Sequence, residues 1–296
     1  MTIKHLVISG GGPSGVLTYG IASHLEKKGF WHLSNIKSIY GCSIGAYIGV
    51  ILSLGYEWEW LDDYLIKRPW DKLISASKTR IIDIFEKKCL INENCFREGT
   101  IPLLRAKNLS DEITLSELYD YNGIDIHMYA TNINSVGLEK IDISHKTHPN
   151  LTLITALRMT MAFPVIFEPI LYENSCYIDG GLINNFPLND CLLQQKCDPD
   201  EILGFKNIWK TNVSRHITEK SSLLDFIMII MKKMQSAINT EPYQEKTKYT
   251  VNCLIEDLAG FDKWYEVSYS EEYRKTIIEN GYTQAELFLS YISNNK

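Results

Sequence analysis

The amino-acid sequence predicts an α/β fold, a mainly parallel sheet covered by helices on both faces. Three observations lead there. Two short apolar runs in the first 55 residues stop at glycines, as buried strands do. Each is followed by a stretch of helical length, and a strand–helix–strand–helix order demands crossovers and so parallel pairing. Finally, 296 residues with 45% hydrophobic and 22% charged side chains suffice for one large core, so residues 1–296 are expected to form a single domain.

Each element has its own signal. Leu6, Val7 and Ile8 form the apolar run of a strand over Lys4–Ser9. From Gly15 the period changes: Leu17, Ile21 and Leu25 mark one helical face, closed by Lys27, Lys28 and Gly29. Ile36–Tyr40 reads as a second strand and Ile44–Leu54 as an apolar helix ended by Gly55. Between Gly55 and about Asp111 the mixture of Trp and charge predicts helices covering the sheet. Thr114 and Glu117 have the spacing of a capping box. Strands are expected at Ile124–Thr131, Glu139–Ser144, Ser175–Ile178, Ile202–Ile208 and Thr250–Ile255. A helix is expected over Leu151–Met161, ended near Pro164, and a long one from about Glu271 to Ser293, weakened by Gly281. Leu223–Met234 is apolar nearly all round and reads as a buried or subunit-facing helix. Its alternative is a lipid-facing cover, with methionines that adapt to acyl chains and Lys232 and Lys233 near headgroups.

Composition removes several functions. A net charge of −6 with no basic stripe excludes a nucleic-acid binder. The runs Ile44–Leu54 and Leu223–Met231 are too short to span a bilayer, and Met1–His5 does not read as a leader. The expected location is cytoplasmic, with transient contact at membrane surfaces. Seven scattered cysteines without a C-x-x-C pair suit reduced thiols. His145 and His148 sit close together in a polar loop, and no metal-ligand spacing occurs, so no metal or other cofactor is expected.

Three motifs carry chemistry. Gly41-Cys42-Ser43-Ile44-Gly45 is a G-x-S-x-G placed where a strand stops and a helix starts. There the turn exposes the serine above the sheet, and the helix N-terminus favours negative charge. Gly10-Gly11-Gly12-Pro13-Ser14-Gly15 joins the first strand to the first helix, and its amides can converge on an anion. It lacks the Lys of a phosphate-binding P-loop. Gly41-Cys42-Ser43 also stands where a dinucleotide site would need an acid. An oxyanion hole beside a nucleophilic serine explains both motifs together. Asp179-Gly180-Gly181 follows an apolar strand and by itself reads as a hairpin turn.

In that order, these three motifs resemble the patatin-like phospholipase family. The stretch from Ala156 to Pro169 that leads into Tyr177-Ile178-Asp179-Gly180-Gly181 resembles it too, so the likeness covers roughly Lys4 to Pro187. The resemblance implies a three-layer sandwich and a Ser–Asp dyad without histidine, Ser43 as nucleophile and Asp179 as base. It also implies an oxyanion hole from Gly10, Gly11 and Gly12, with Gly15, Gly41, Gly45, Gly180 and Gly181 as motif support. Its substrates are phospholipids, neutral lipids or small acyl esters, cleaved without a metal. Ser14 stands where the family usually has Arg or Lys.

The expected chemistry is lipid acyl-ester hydrolysis through an acyl-Ser43 intermediate. Two alternatives come from other classes. One is an α/β-hydrolase triad using His216, the only histidine after Asp179. The other is a lipid-binding protein of weak activity on the same fold. An acyltransferase would share the acyl-serine, and the oligomeric state is left open by the sequence.

Overall fold

The strands, in chain order, are β1 (His5–Ile8), β2 (Ser38–Cys42), β3 (Cys89–Ile91), β4 (Asp125–Asn132), β5 (Glu139–Ile143), β6 (Val165–Phe167), β7 (Ile170–Tyr172), β8 (Ser175–Asp179), β9 (Ile202–Trp209) and β10 (Thr250–Ile255). A computed structural model describes residues 2–74, 86, 88–91, 94–209, 217–219, 221–238, 247–255 and 261–294. β1 and β2 are buried along their whole length, which is why neither shows polar alternation. They pair in parallel, His5 against Ser38 through Ile8 against Gly41. The main sheet runs β10-β9-β1-β2-β4-β8-β7, with β5 also on β4. The first five strands of that order are mutually parallel, and β5, β7 and β8 join antiparallel. β3 and β6 make a separate parallel pair.

Around the sheet lie α1 (Gly15–Lys27), α2 (Ile44–Ser53), α3 (Trp58–Lys67), α4 (Trp70–Ile74), α5 (Asn94–Ala106), α6 (Leu115–Asn122), α7 (Leu153–Met161), α8 (Leu188–Gln195), α9 (Leu223–Ile238), α10 (Phe261–Tyr269) and α11 (Glu271–Asn294). Alternate residues of one strand separate the layers. Leu6 and Ile8 of β1 belong to the large core with Leu17, Ile51 and Ile278 of α1, α2 and α11, whereas Val7 packs with Leu188 and Cys191 of α8. None of the described helices is long and apolar enough to cross a membrane.

Most sequence expectations hold, and the departures have physical causes. The capping box forms: Thr114 accepts from the Glu117 amide at 3.2 Å, and Glu117 accepts from the Thr114 amide at 2.8 Å. β2 starts two residues later than expected, because the Ile36 amide closes a 3₁₀ turn onto Leu33. β3, β6 and β7 are three residues each, too short for an alternating pattern. Gly281 costs α11 helix propensity and at the same time makes its packing possible. A Cβ there would lie 2.8 Å from the Leu17 carbonyl oxygen, and one on Gly20 2.6 Å from that of Ile278, so the α1 and α11 backbones touch. The buried-helix reading of Leu223–Met234 is overturned. Within α9 only Met228 is buried, while Leu223, Phe226, Ile230, Met234 and Ile238 are exposed. An apolar composition does not say whether the second face has a protein partner.

The start of β4 carries a buried ionic network. His127 lies 3.1 Å from Asp125 and 2.9 Å from Asp142, stacked on Tyr40, and Lys146 reaches Asp125 at 2.5 Å. Burial alone would discharge His127, yet the two carboxylates raise it to about 9. Burial opposes the charge of Asp125 too, and His127 with Lys146 still holds it well below the usual carboxylate range.

Candidate active site

β4 acts as a ruler for the site. Met128 and Tyr129 pair with β2 and also with β5, so those two strands occupy opposite edges. Ala130 to Asn132 pair with β5 and with β8, which puts β8 on the edge that β2 has just left. Cys42 is therefore registered on Tyr129 and Asp179 on the next residue, Ala130. Two segments 136 residues apart in sequence meet end to end, and Ser43 Oγ donates to Asp179 Oδ2 at 2.5 Å.

Ser43 sits at φ 52°, ψ −129°, a left-handed conformation unusual for a side-chain-bearing residue. The turn is tight enough that Gly45 touches β1: a Cβ there would lie 2.4 Å from the Ile8 carbonyl oxygen. At Gly41 a Cβ would meet the Ala46 backbone at 2.6 Å. Both glycines of the G-x-S-x-G motif are thus steric requirements of the elbow. The Ser43 amide donates to Thr160 Oγ1 at 3.0 Å, and Thr160 in turn donates to the Tyr129 carbonyl at 2.5 Å.

Asp179 ends β8 and caps a 3₁₀ turn over Gly180–Leu182, accepting the Gly181 amide at 2.7 Å. Gly180 lies against the Tyr129 carbonyl, where a Cβ would not fit. Burial dominates the Asp179 carboxyl and pushes it up to about 6, against the pull of the hydrogen bonds from Ser43, Gly181 and Cys42. A carboxylate with that value is a far better base near neutrality than an ordinary aspartate. No imidazole fits between Ser43 and Asp179 at their direct hydrogen-bond distance, and His216 lies outside the described residues.

The glycine loop stands against the same site. Gly10 donates its amide to the Asn185 carbonyl at 3.3 Å. Among the described residues the Gly11 and Gly12 amides have no partner, and both glycines line the cavity with Ser43 and Asp179. Ser14 donates to the Gly11 carbonyl at 3.1 Å and accepts from Asn207 Nδ2 at 2.8 Å. Asn207 Nδ2 also reaches the Gly10 carbonyl, at 2.9 Å. Gly15 opens α1 against Ile44, with no space for a larger residue.

The cavity measures about 230 Å³. Its walls are mostly apolar: Ile44, Tyr47, Trp70, Phe96, Phe163, Phe167 and Trp264 surround the polar corner made by Ser43, Asp179 and the loop.

A sequence model of the patatin-like phospholipases matches residues 6–192. The chain belongs to that family. It is similar to the probable lipid hydrolase 463L of Invertebrate iridescent virus 6, 30% identical over 238 residues, 76% of this chain and 78% of that protein. It is also similar to the uncharacterized protein R571 of Acanthamoeba polyphaga mimivirus, 27% identical over 187 residues, 63% and 60% of the two chains. The crystal structure of VipD from Legionella pneumophila shares the fold, with a TM-score of 0.51 at 17% identity over 98% of this chain and 67% of VipD.

Several residues of this patatin-like site carry no motif. Thr160 lies in the last turn of α7, Asn207 lies in a strand, and Asn185 follows the Asp-Gly turn. Their partners are backbone atoms of distant segments, so local spacing holds no sign of them. Ser14, where the family resemblance implies Arg or Lys, is the one visible trace. A small hydroxyl there leaves room for the Asn207 carboxamide.

Proposed function

We propose that this chain is a lipid acyl-ester hydrolase that works through a Ser43–Asp179 dyad. The direct Ser43 Oγ–Asp179 Oδ2 hydrogen bond in an apolar cavity carries the reading. Asp179 takes the Ser43 proton as Oγ attacks the ester carbonyl, and the carbonyl electrons move onto oxygen. The Gly11 and Gly12 amides receive that oxyanion, beside the N-terminus of α2. Collapse breaks the C–O bond, and Asp179 returns the proton to the departing alcohol. Water then attacks acyl-Ser43, Asp179 accepts its proton, and Ser43 regains one as the fatty acid leaves.

The apolar walls suit an acyl chain, and family membership points to phospholipid among the lipid esters. β9, β10 and α11, beyond the family match, extend the same sheet and pack on α1, which supports reading 1–296 as one domain. Labelling with a fluorophosphonate ester, followed by peptide mapping, tests the dyad. A single adduct on Ser43, lost in Asp179→Asn, with fatty acid released from phosphatidylcholine, is the expected result. A folded protein that forms no adduct, or an adduct only elsewhere, overturns it.

A further inference from the structure

α9 carries two faces with different tasks. Its inner side belongs to the site: Met228 packs with Phe96 and Phe167, Gln235 donates to the Gly181 carbonyl at 2.6 Å, and Lys232 lies 3.8 Å over the Trp209 ring. Its outer side is a stripe at helical spacing, Leu223, Phe226, Ile230, Met234 and Ile238, exposed by 74%, 46%, 39%, 48% and 40%. At 1.5 Å per residue the stripe runs for about 22 Å.

From this we infer that the outer face of α9 docks the protein on a phospholipid bilayer, beside the cavity that the same helix walls. The inference rests on the lipid-esterase reading of the site and adds the surface through which it meets its substrate.

Three observations favour a bilayer over a second copy of the chain. The chain has a net charge of −6, yet Leu223–Ile238 presents the exposed Lys233 and holds one acid, Asp225, which is tied to Ser222 at the helix start. The helix therefore offers local positive charge to anionic headgroups in an acidic protein. Lys233 is itself exposed, next to Met234. Moreover α10, which lines the cavity through Trp264 and Val267, exposes Tyr265 by 60% and Tyr269 by 54%. Tyrosines of this kind are at home at the headgroup level. A second copy seated on α9 would cover the helix beside the cavity, whereas a bilayer brings acyl chains there.

The test uses full-length Ser43→Ala protein, so that binding is read without hydrolysis, and vesicles of phosphatidylcholine with and without phosphatidylglycerol. The parent is expected to float with both, more with the anionic mixture. Phe226→Glu combined with Ile230→Glu is expected to lower partitioning by about ten- to hundredfold, the loss set by two apolar side chains. Leu223→Ser with Met234→Ser, a milder pair, is expected to lower it less. All variants are expected to keep the parent melting temperature. In the Ser43-containing protein, turnover of a water-soluble short-chain ester is expected to be unchanged by either pair. Absent soluble-ester turnover with intact vesicle binding would sink the esterase reading and leave the docking face standing. Failure of the parent to bind vesicles overturns the docking face, as does equal binding by parent and variants. A parent dimer that the substitutions dissociate without loss of vesicle binding assigns the face to a second copy.

Discussion

Thr160 stands behind Ser43, its hydroxyl oxygen taking the Ser43 amide at 3.0 Å while its proton goes to the Tyr129 carbonyl at 2.5 Å. The left-handed elbow is thereby fastened to the strand that sets the register. Thr160→Val keeps the shape and leaves one buried donor and one buried acceptor without partners, at a cost of about 1–3 kcal/mol. The expected result is a fall in kcat of about tenfold or more on a soluble ester. Thr160→Ser should restore most of it, and a melt of each variant separates the loss of position from the loss of fold.

The raised Asp179 carboxyl predicts a pH profile. Asp179 must be ionised to act as base, so kcat/KM should rise with pH through a midpoint near 6 and then level off. The same shift has a cost in stability. The folded state holds this proton more tightly than the unfolded one, whose value is 3.8, so stability falls as pH rises from about 4 to about 6 and stays lower above that. Asp179→Asn should therefore melt above the parent at pH 7, by up to about 3 kcal/mol, and show no such gain at pH 4.

The oxyanion loop depends on Asn207. Asn207→Ala removes one of the two amide donors to the Gly10 carbonyl and the donor to Ser14 Oγ, and kcat should drop by about tenfold with KM little changed. Gly11→Pro deletes a proposed donor, and its loss should approach that of Ser43→Ala in a protein that still folds. Steady-state kinetics on one soluble ester reads both.

The sequence made the elbow legible because its signals are local: two apolar runs, small residues at Gly41 and Gly45, and a change of period across Ser43. Asp179 was different. Its Asp-Gly pair has the form of an ordinary turn, and only the order of the three motifs marked it. Asn207 and Thr160 were invisible, since each acts on backbone brought to it by the sheet. For α9 only the buried reading fails, because apolar composition reports how apolar a face is, not whether another part of the protein covers it.

His127 predicts a second pH effect of the same sign at higher pH, since its folded state also holds the proton more tightly. Its folded value of about 9 exceeds the unfolded 6.5, so its contribution is complete below pH 6.5 and is lost as pH climbs through 9. Melting temperature should fall between pH 6.5 and 9.5 in the parent and fall less in His127→Asn. Asp179, ionised throughout that window, does not obscure the comparison.

At Gly281 two rules oppose each other. Alanine is the better helix former by about 1 kcal/mol, yet a Cβ would strike the α1 backbone. Packing should win, and Gly281→Ala should lower stability by about 1–3 kcal/mol in a urea melt.

The register on β4 also governs when in synthesis the proposed dyad can form. An emerging chain presents Ser43 early, but the carboxylate proposed as its base arrives only with β8, 136 residues later. On the dyad reading, a chain that ends before β8 carries a nucleophile without its base. The proposed dyad is thus deferred to the moment at which Asp179 takes its place against Ala130, and the order of synthesis separates the making of the nucleophile from its activation.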